Sequence, residues 1–427
     1  MRRYDVIVVG AGPAGSAAAY RLAQGGASVA LLEKQTLPRH KTCGGGMPMC
    51  VSELLQLDEI RDLSPDAFIE SSVQHMRHTY KWKDPVLASL NSETPGSVEI
   101  PTEKPLTLWM VQRSVFDNAL AQRAAKAGAE LLDGLSVRTL AFDKGQPVRM
   151  TAESANGTWE ATADIVIGAD GANGIVAKQA GLRRERTLAI AIEAEVPHEW
   201  GTGHADLRRE VCHLEYGAVH QGYAWIFPKG DHLNVGAGVF RPRNSGGRGD
   251  TNVRAELHKA ILGYLELMGI PKKIEELVLH AHPLPIWNGM DTLQTRDNRV
   301  LLVGDSAGLI NPFFGDGILH ALKSGQIAAE RILQKDQANY SKAIRTEFKK
   351  NFDAALKMAQ FFYQFPEFCY QYGVRRPNAT RTAARLLYGE ALFSDISGRV
   401  LHRIRAEIAK SLSPRNIVKA EAGGEKR

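Results

Sequence analysis

Residues 4–34 constrain the fold more than any other stretch of the chain. Asp5-Val6-Ile7-Val8-Val9 is a short, β-branched apolar run, which predicts a fully buried parallel strand. Gly10-Ala11-Gly12-Pro13-Ala14-Gly15 follows, then an alanine-rich helical run over 16–23, a Gly25-Gly26 stop, and a second strand over 28–32 closed by Glu33. Strand, glycine turn, helix, strand and acid, in that order, form the context in which a dinucleotide fingerprint is meaningful. Gly10 permits the tight turn, Gly12 lets the backbone approach a diphosphate, and Gly15 lets helix and strand pack closely. The diphosphate would rest on the helix N-terminus, where free N–H groups and the helix dipole favour negative charge. Glu33 would accept hydrogen bonds from the adenosine ribose. Its charge repels a 2′-phosphate, so NADP is not expected at this site.

At 427 residues the chain exceeds one compact core and predicts two or three domains. The apolar fraction of 44% and charged fraction of 23% are those of a globular protein. A net charge of +6 does not by itself imply nucleic-acid binding. Cys43, Cys50, Cys212 and Cys369 are scattered without metal-ligand spacing, which predicts a reduced, cytoplasmic chain and no metal site. Met1-Arg2-Arg3 and the apolar run after it are too short for a signal peptide and lead into the glycine turn. No apolar run approaches the roughly 18–20 residues of a bilayer span, so any membrane contact would be peripheral.

Further along, Cys43-Gly44-Gly45-Gly46, preceded by Arg39-His40-Lys41, marks a loop lying very close to something, with a flavin ring or ribityl chain as the natural candidate and a hinge as the alternative. Residues 52–63 look helical. From 68 to 108, short strands interrupted by Pro85, Pro95, Pro101 and Pro105 suggest a first visit to a second, antiparallel domain. Ser114 is a candidate N-cap for a helix reaching about 128, and Arg113 beside it is either a cofactor contact or a surface arginine. Strands follow over 129–135 and 136–142, then a hairpin over 148–163 turning at Asn156-Gly157. Residues 165–168 form a second buried strand, ending in Ala169-Asp170-Gly171. Residues 188–240 are strand-rich, 241–251 a charged loop, and 253–268 helical. Val300-Leu301-Leu302-Val303-Gly304-Asp305 is a third buried strand. A helix from near Gly317 to about 333 would aim its N–H groups at an anionic flavin. Asp305 would hold ribityl hydroxyls or, through water, the phosphates. Three strand ends meeting at one crevice of a parallel sheet, with no second complete glycine fingerprint, argue for FAD.

These motifs resemble those of the aromatic-hydroxylase superfamily of flavoproteins: Gly10–Gly15, Asp170-Gly171 and Gly304-Asp305. Within it, Lys41-Thr42-Cys43-Gly44-Gly45, Tyr223-Ala224-Trp225-Ile226-Phe227-Pro228 and the Pro312–Ile318 loop are similar to the geranylgeranyl reductases. The resemblance implies cofactor contacts at Ala14 or Gly15, Glu33, Lys34, Cys43, Gly44, Gly46, Arg113, the Val137 backbone, Asp305, Gly317 and Ile318. The chain departs from the superfamily after Asn173, where Gly174 and Ala177 stand in place of Ser and Arg, which weakens the Asp170 block as a cofactor contact.

The implied fold is α/β: a Rossmann-type FAD-binding domain (1–67, 106–186 and 285–338), an antiparallel β-sheet substrate domain (68–105 and 187–284) and a helical C-terminal region (339–427). The implied reaction saturates geranylgeranyl-type carbon–carbon double bonds with reduced flavin, fed by NADPH or reduced ferredoxin. The substrate would be a prenylated lipid, pigment or quinone, with a redox partner protein as a further partner and no nucleic acid. Cys43 and Tyr223 are the proton-donor candidates, though either could be structural. Trp225 and Phe227 would line the prenyl site or pack the core. His282 and His320 are read as satisfied core or surface histidines. An FAD-dependent monooxygenase or halogenase of the same fold is the alternative, although no lysine beside a halide tunnel is evident. A non-catalytic flavoprotein or prenyl-lipid module is the other.

Phe348, Phe352, Leu356, Ala359 and Phe362-Tyr363 recur at helical spacing, to pack on the main body or wall a prenyl tunnel. Arg375, Arg376, Arg381, Arg385, Arg399, Arg403, Arg405 and Lys410 suggest a surface for anionic lipid headgroups, a solvated face or a partner surface. Residues 420–427 read as a disordered tail.

Overall fold

The computed structural model describes residues 1–56, 67–91, 105–143, 145–183, 185–240, 250–289, 292–396 and 398. The first sheet runs in the order Glu130–Leu132, Val29–Leu32, Arg2–Val9, Gly157–Gly168, Val148–Ser154, Ser136–Ala141, with Val300–Leu302 beside the end of Gly157–Gly168. Val9 pairs in parallel with Gly168, and Gly168 with Leu302. The three predicted strand ends therefore lie side by side and in register. The hairpin and the buried strand read separately near 157–168 are one strand. Its first half pairs antiparallel with Val148–Ser154 and its second half parallel with Arg2–Val9.

Helices Pro13–Gln24, Arg113–Lys126 and Ile318–Leu333 belong to this layer. The first and last approach backbone to backbone: a Cβ on Gly325 would lie 2.1 Å from the Ala14 carbonyl oxygen. Small residues on both helices permit this, and it brings two helix N-termini to the same edge of the sheet.

The second sheet is ordered His280–Ile286, Thr187–Pro197, His232–Val239, Gly222–Pro228, Val211–Tyr216, His75–Tyr80, Lys83–Ser89. It is antiparallel except where Val211–Tyr216 pairs in parallel with His75–Tyr80. Side chains alternate across it. Ala224 and Ile226 pack beneath helix Asp250–Leu267 against Leu257, Ile261 and Tyr264, while Tyr223, Trp225 and Phe227 face a cavity on the other side. Strand Ile69–Val73 does not join this sheet. It pairs with Leu108–Val111, which also pairs with Gly46–Pro48, in a small third sheet.

Several local expectations are corrected. The helix expected over 52–63 is the short Val51–Leu54 segment, with Gln56 in the left-handed region and 57–66 outside the described residues. Helix Arg113–Lys126 starts before Ser114, and its N-cap Gln112 makes no side-chain capping bond. The C-terminal region is helical over Tyr340–Ile344, Lys350–Gln364, Pro366–Cys369 and Ala379–Tyr388, with π-helical turns at Arg345–Lys349 and Tyr370–Val374. Pro95, Pro101, the loop 241–249, Arg399, Arg403, Arg405, Lys410 and the tail 420–427 lie outside the described residues.

Candidate functional site

A cavity of about 1530 Å³ starts at the glycine turn, passes between the two large sheets and ends among the C-terminal helices. Pockets for single drug-sized ligands hold roughly 300–1,000 Å³, so this space suits a dinucleotide and a second, elongated molecule. Apart from Gly15, every residue singled out above as a cofactor, catalytic or substrate contact lies on its wall.

The turn at the cavity's start fits a dinucleotide. Gly10 has φ +106°, and a Cβ there would lie 2.3 Å from the Ala169 carbonyl oxygen; a Cβ on Gly15 would lie 1.9 Å from that of Gly10. Those glycines close the turn against protein. Gly12 differs, because a Cβ there would meet only the Arg39 guanidinium at 3.9 Å. Its open side is where a diphosphate can approach helix Pro13–Gln24. Glu33, 4% exposed, accepts the Ala11 and Gln35 backbone N–H groups and so braces the turn as well as facing the ribose position.

Arg39, unremarked in the sequence as a contact, joins two carboxylates, at 3.3 Å from Glu33 Oε2 and 3.1 Å from Asp117 Oδ2. Asp117 in turn accepts two bonds from Arg113, at 2.8 and 2.9 Å. Arg113 is thereby buried on the cofactor wall, with Cys43 as a further hydrogen-bond partner. Arg39 and Arg113 are thus preset cations on the cavity wall, able to meet an anionic group there. Asp305 and Gly317 meet across the same wall, and Gly317 caps helix Ile318–Leu333. Lys34 and Val137 also line the cavity.

Asp170 does other work. Its carboxylate accepts the Val176 N–H and the Ser306 hydroxyl, tying two of the strand ends together. A Cβ on Gly174 would lie 2.0 Å from the Asp170 carboxyl carbon. The glycine that departs from the superfamily pattern is the residue that leaves room for this arrangement.

The triple glycine lies close to protein. A Cβ on Gly44 would strike the Phe227 ring at 2.7 Å, and one on Gly45 the Val111 carbonyl oxygen at 2.1 Å. The loop is thereby pressed between the second sheet and the small third sheet. Glu193 accepts the Cys43 N–H at 2.6 Å, and burial raises the Glu193 pKa. Asn234, itself hydrogen-bonded to Glu193, accepts the Trp225 indole N–H at 2.8 Å, so Cys43 and Trp225 are held through one network. Cys43 is half-buried on the wall and its sulfur accepts the Gly45 N–H.

Tyr223 donates its hydroxyl proton to the Phe314 carbonyl at 2.7 Å, and burial raises its pKa further. Tyr363 makes the equivalent bond to Phe313. The two tyrosines hold the Pro312–Ile318 loop. On the opposite wall, Lys41 donates to His282 Nε2 at 2.8 Å. Burial and the Lys41 charge push His282 down to about 4, so it is a neutral acceptor at pH 7. Sequence offered no signal for this pair, because Lys41 lies in the loop before Gly46–Pro48 and His282 on a strand of the second sheet, 241 positions apart.

Beyond the flavin end the wall is apolar: Trp225, Phe227, Leu214, Phe313, Phe314 and Phe362. The C-terminal aromatic stripe divides. Phe348 and Phe352 pack into the core of the first sheet, whereas Phe362 and Tyr363 reach the cavity. Among the described residues no cluster suits a metal ion, and no helix is long and apolar enough to cross a membrane.

A family profile described as "FAD binding domain" matches residues 3–324. The chain is 30% identical over 349 residues to the chloroplastic geranylgeranyl diphosphate reductase of Arabidopsis thaliana, covering 79% of this chain and 67% of that one. It is 29% identical over 371 residues to digeranylgeranylglycerophospholipid reductase 1 of Methanopyrus kandleri, covering 84% and 90%. In fold it matches a geranylgeranyl bacteriochlorophyll reductase-like protein of Thermoplasma acidophilum, with TM-score 0.70 at 23% identity over 98% of both chains. With the profile spanning both the glycine turn and the third strand end, the chain belongs to the geranylgeranyl reductase family of FAD-dependent oxidoreductases.

Proposed function

We propose that this protein saturates carbon–carbon double bonds of a prenyl chain with electrons from reduced FAD. The observation that carries the reading is the continuity of the cavity from the glycine turn to a chamber lined by aromatic side chains. Bound and reduced, FAD supplies a hydride to one alkene carbon. The chain's own residues supply the rest. Trp225 and Phe227, fixed by Asn234 and the glycine loop, press the prenyl chain into one orientation. Cys43 holds the proton for the other carbon at its sulfur, on the wall beside Arg113. Tyr223 is the weaker donor, because its proton is committed to the Phe314 carbonyl. The electrons would come from NADPH or a ferredoxin-like protein, and the substrate's remainder would be a lipid, pigment or quinone.

A halogenase reading needs a lysine in the chamber. Lys229 is 1% exposed and donates to the Val111 carbonyl behind the glycine loop, Lys41 is engaged by His282, and Lys350 and Lys357 line the cavity from the C-terminal helix Lys350–Gln364 at its far end. The test is product analysis by mass spectrometry after anaerobic incubation of the reduced protein with geranylgeranyl diphosphate and with a prenylated quinone. A gain of two mass units per saturated bond supports the reading. Products formed only with oxygen, and carrying it, would replace it with the monooxygenase.

A further inference from the structure

The far end of the cavity opens on a surface of unusual composition. Phe361 and Phe368 line the cavity from the inside. Phe361 meets Phe365 at a tilt, with ring centroids 5.3 Å apart, Phe368 meets Tyr372 likewise at 4.9 Å, and Phe361 and Phe368 touch edge to face at 6.3 Å. Phe365 is 47% exposed and Tyr372 52%. A ladder of four aromatic rings therefore runs from the cavity wall out to the surface. Large aromatics are seldom left this exposed as a contiguous group without a partner.

Charge surrounds the ladder. Lys350, Lys357 and Arg376 are exposed and also belong to the cavity wall, and Arg375 is exposed beside them. Arg376 and Arg375 are steadied by Tyr372 O and Gln371. From 350 to 388 the chain carries Lys350, Lys357, Arg375, Arg376, Arg381 and Arg385 against only Asp353 and Glu367. Of these, Arg385 is paired with Glu390, and Asp353 with Lys349.

We propose that this face docks on an anionic lipid bilayer, with Phe365 and Tyr372 inserted at the headgroup level and the cations on acidic headgroups. Aromatic rings favour the membrane–water interface, and cations beside them add electrostatic attraction. The inference extends the proposed function, because docking sets the cavity mouth against the layer in which a prenyl lipid is dissolved. A chain entering past Phe361 and Phe368 would never cross water. A protein partner of acidic surface is the competing occupant, but cations alone would serve it, and the exposed rings would not.

The experiment is flotation of the full-length, FAD-loaded protein with vesicles of phosphatidylcholine alone or with phosphatidylglycerol. Wild-type protein floats with the anionic vesicles and is released by salt. Phe365→Ser with Tyr372→Ser lowers partition about tenfold, as two signals acting together require. Arg375→Ser with Arg376→Ser does the same and leaves little dependence on phosphatidylglycerol. Unchanged flavin absorbance shows that each variant is folded. Failure of wild type to float, or equal partition of wild type and both variants, overturns the proposal. No substrate is used, so this result is independent of whether the prenyl-reduction reading stands.

Discussion

Glu193 accepts the backbone N–H of Cys43 at 2.6 Å, so a strand of the second sheet carries the loop that faces the flavin position. Glu193 is 4% exposed. Removing it leaves a buried N–H without its partner, which costs about 1–3 kcal/mol. Glu193→Leu is expected to lose that much stability and to bind FAD more weakly. Glu193→Gln keeps an acceptor and should lose less. Thermal melts with and without added FAD separate the two effects.

Two glycines of one turn should behave differently. Gly15→Ala forces a methyl group to 1.9 Å from the Gly10 carbonyl oxygen, so both apoprotein stability and FAD affinity should fall. Gly12→Ala meets only Arg39 at 3.9 Å. The apoprotein should melt as wild type while FAD titration shows a large loss of affinity, since the methyl occupies the diphosphate's approach. Equal FAD affinity in Gly12→Ala and wild type would contradict the placement of the cofactor.

The two proton-donor candidates also separate. Tyr223→Phe strands the Phe314 carbonyl and should cost about 1 kcal/mol of stability, with modest loss of rate. Cys43→Ala should reduce the rate of the reductive half-step on the alkene by about 10²-fold or more, with FAD still bound. Rapid-mixing of reduced variants with prenyl substrate, monitored by flavin absorbance, reads both.

Much of this was legible in the chain. The β-branched runs 5–9, 165–168 and 300–303 are apolar on both faces, which only a covered parallel sheet satisfies, and Gly10–Gly15 marked the turn between the first strand and its helix. What escaped was non-local. Arg39 gains its role from Glu33 and Asp117, and Lys41 from His282, and no periodicity encodes a meeting of residues 78 or 241 positions apart. The triple glycine read correctly as a close approach, but its neighbours are Phe227 and Val111. The stripe at 348–363 was evenly spaced, yet its two ends meet different cores, because helix Lys350–Gln364 runs from the core of the first sheet to the aromatic cluster at the cavity.

Acid should unfold the protein early. Burial pushes His78 and His282 down to about 4 and His213 to about 3. Their folded pKa values lie below the unfolded value near 6.5. The stability they contribute is therefore present above about pH 6.5 and lost as pH falls toward 4, because the unfolded chain binds more protons. Glu215, raised to about 7 by burial, has the opposite sign and offsets one of the three. The urea midpoint should decline steadily from pH 6.5 to 4.5, and His78→Gln should flatten that decline. A flat profile would mean that these histidines are charged in the fold.

The account as a whole rests on one cavity holding both a flavin and a prenyl chain. Single-turnover reaction under strict anaerobiosis tests this most directly: protein with its FAD fully reduced, mixed with geranylgeranyl diphosphate. Flavin re-oxidation with one double bond saturated per FAD oxidised is the predicted result. Flavin that stays reduced until oxygen is admitted, with every prenyl double bond intact, would contradict it.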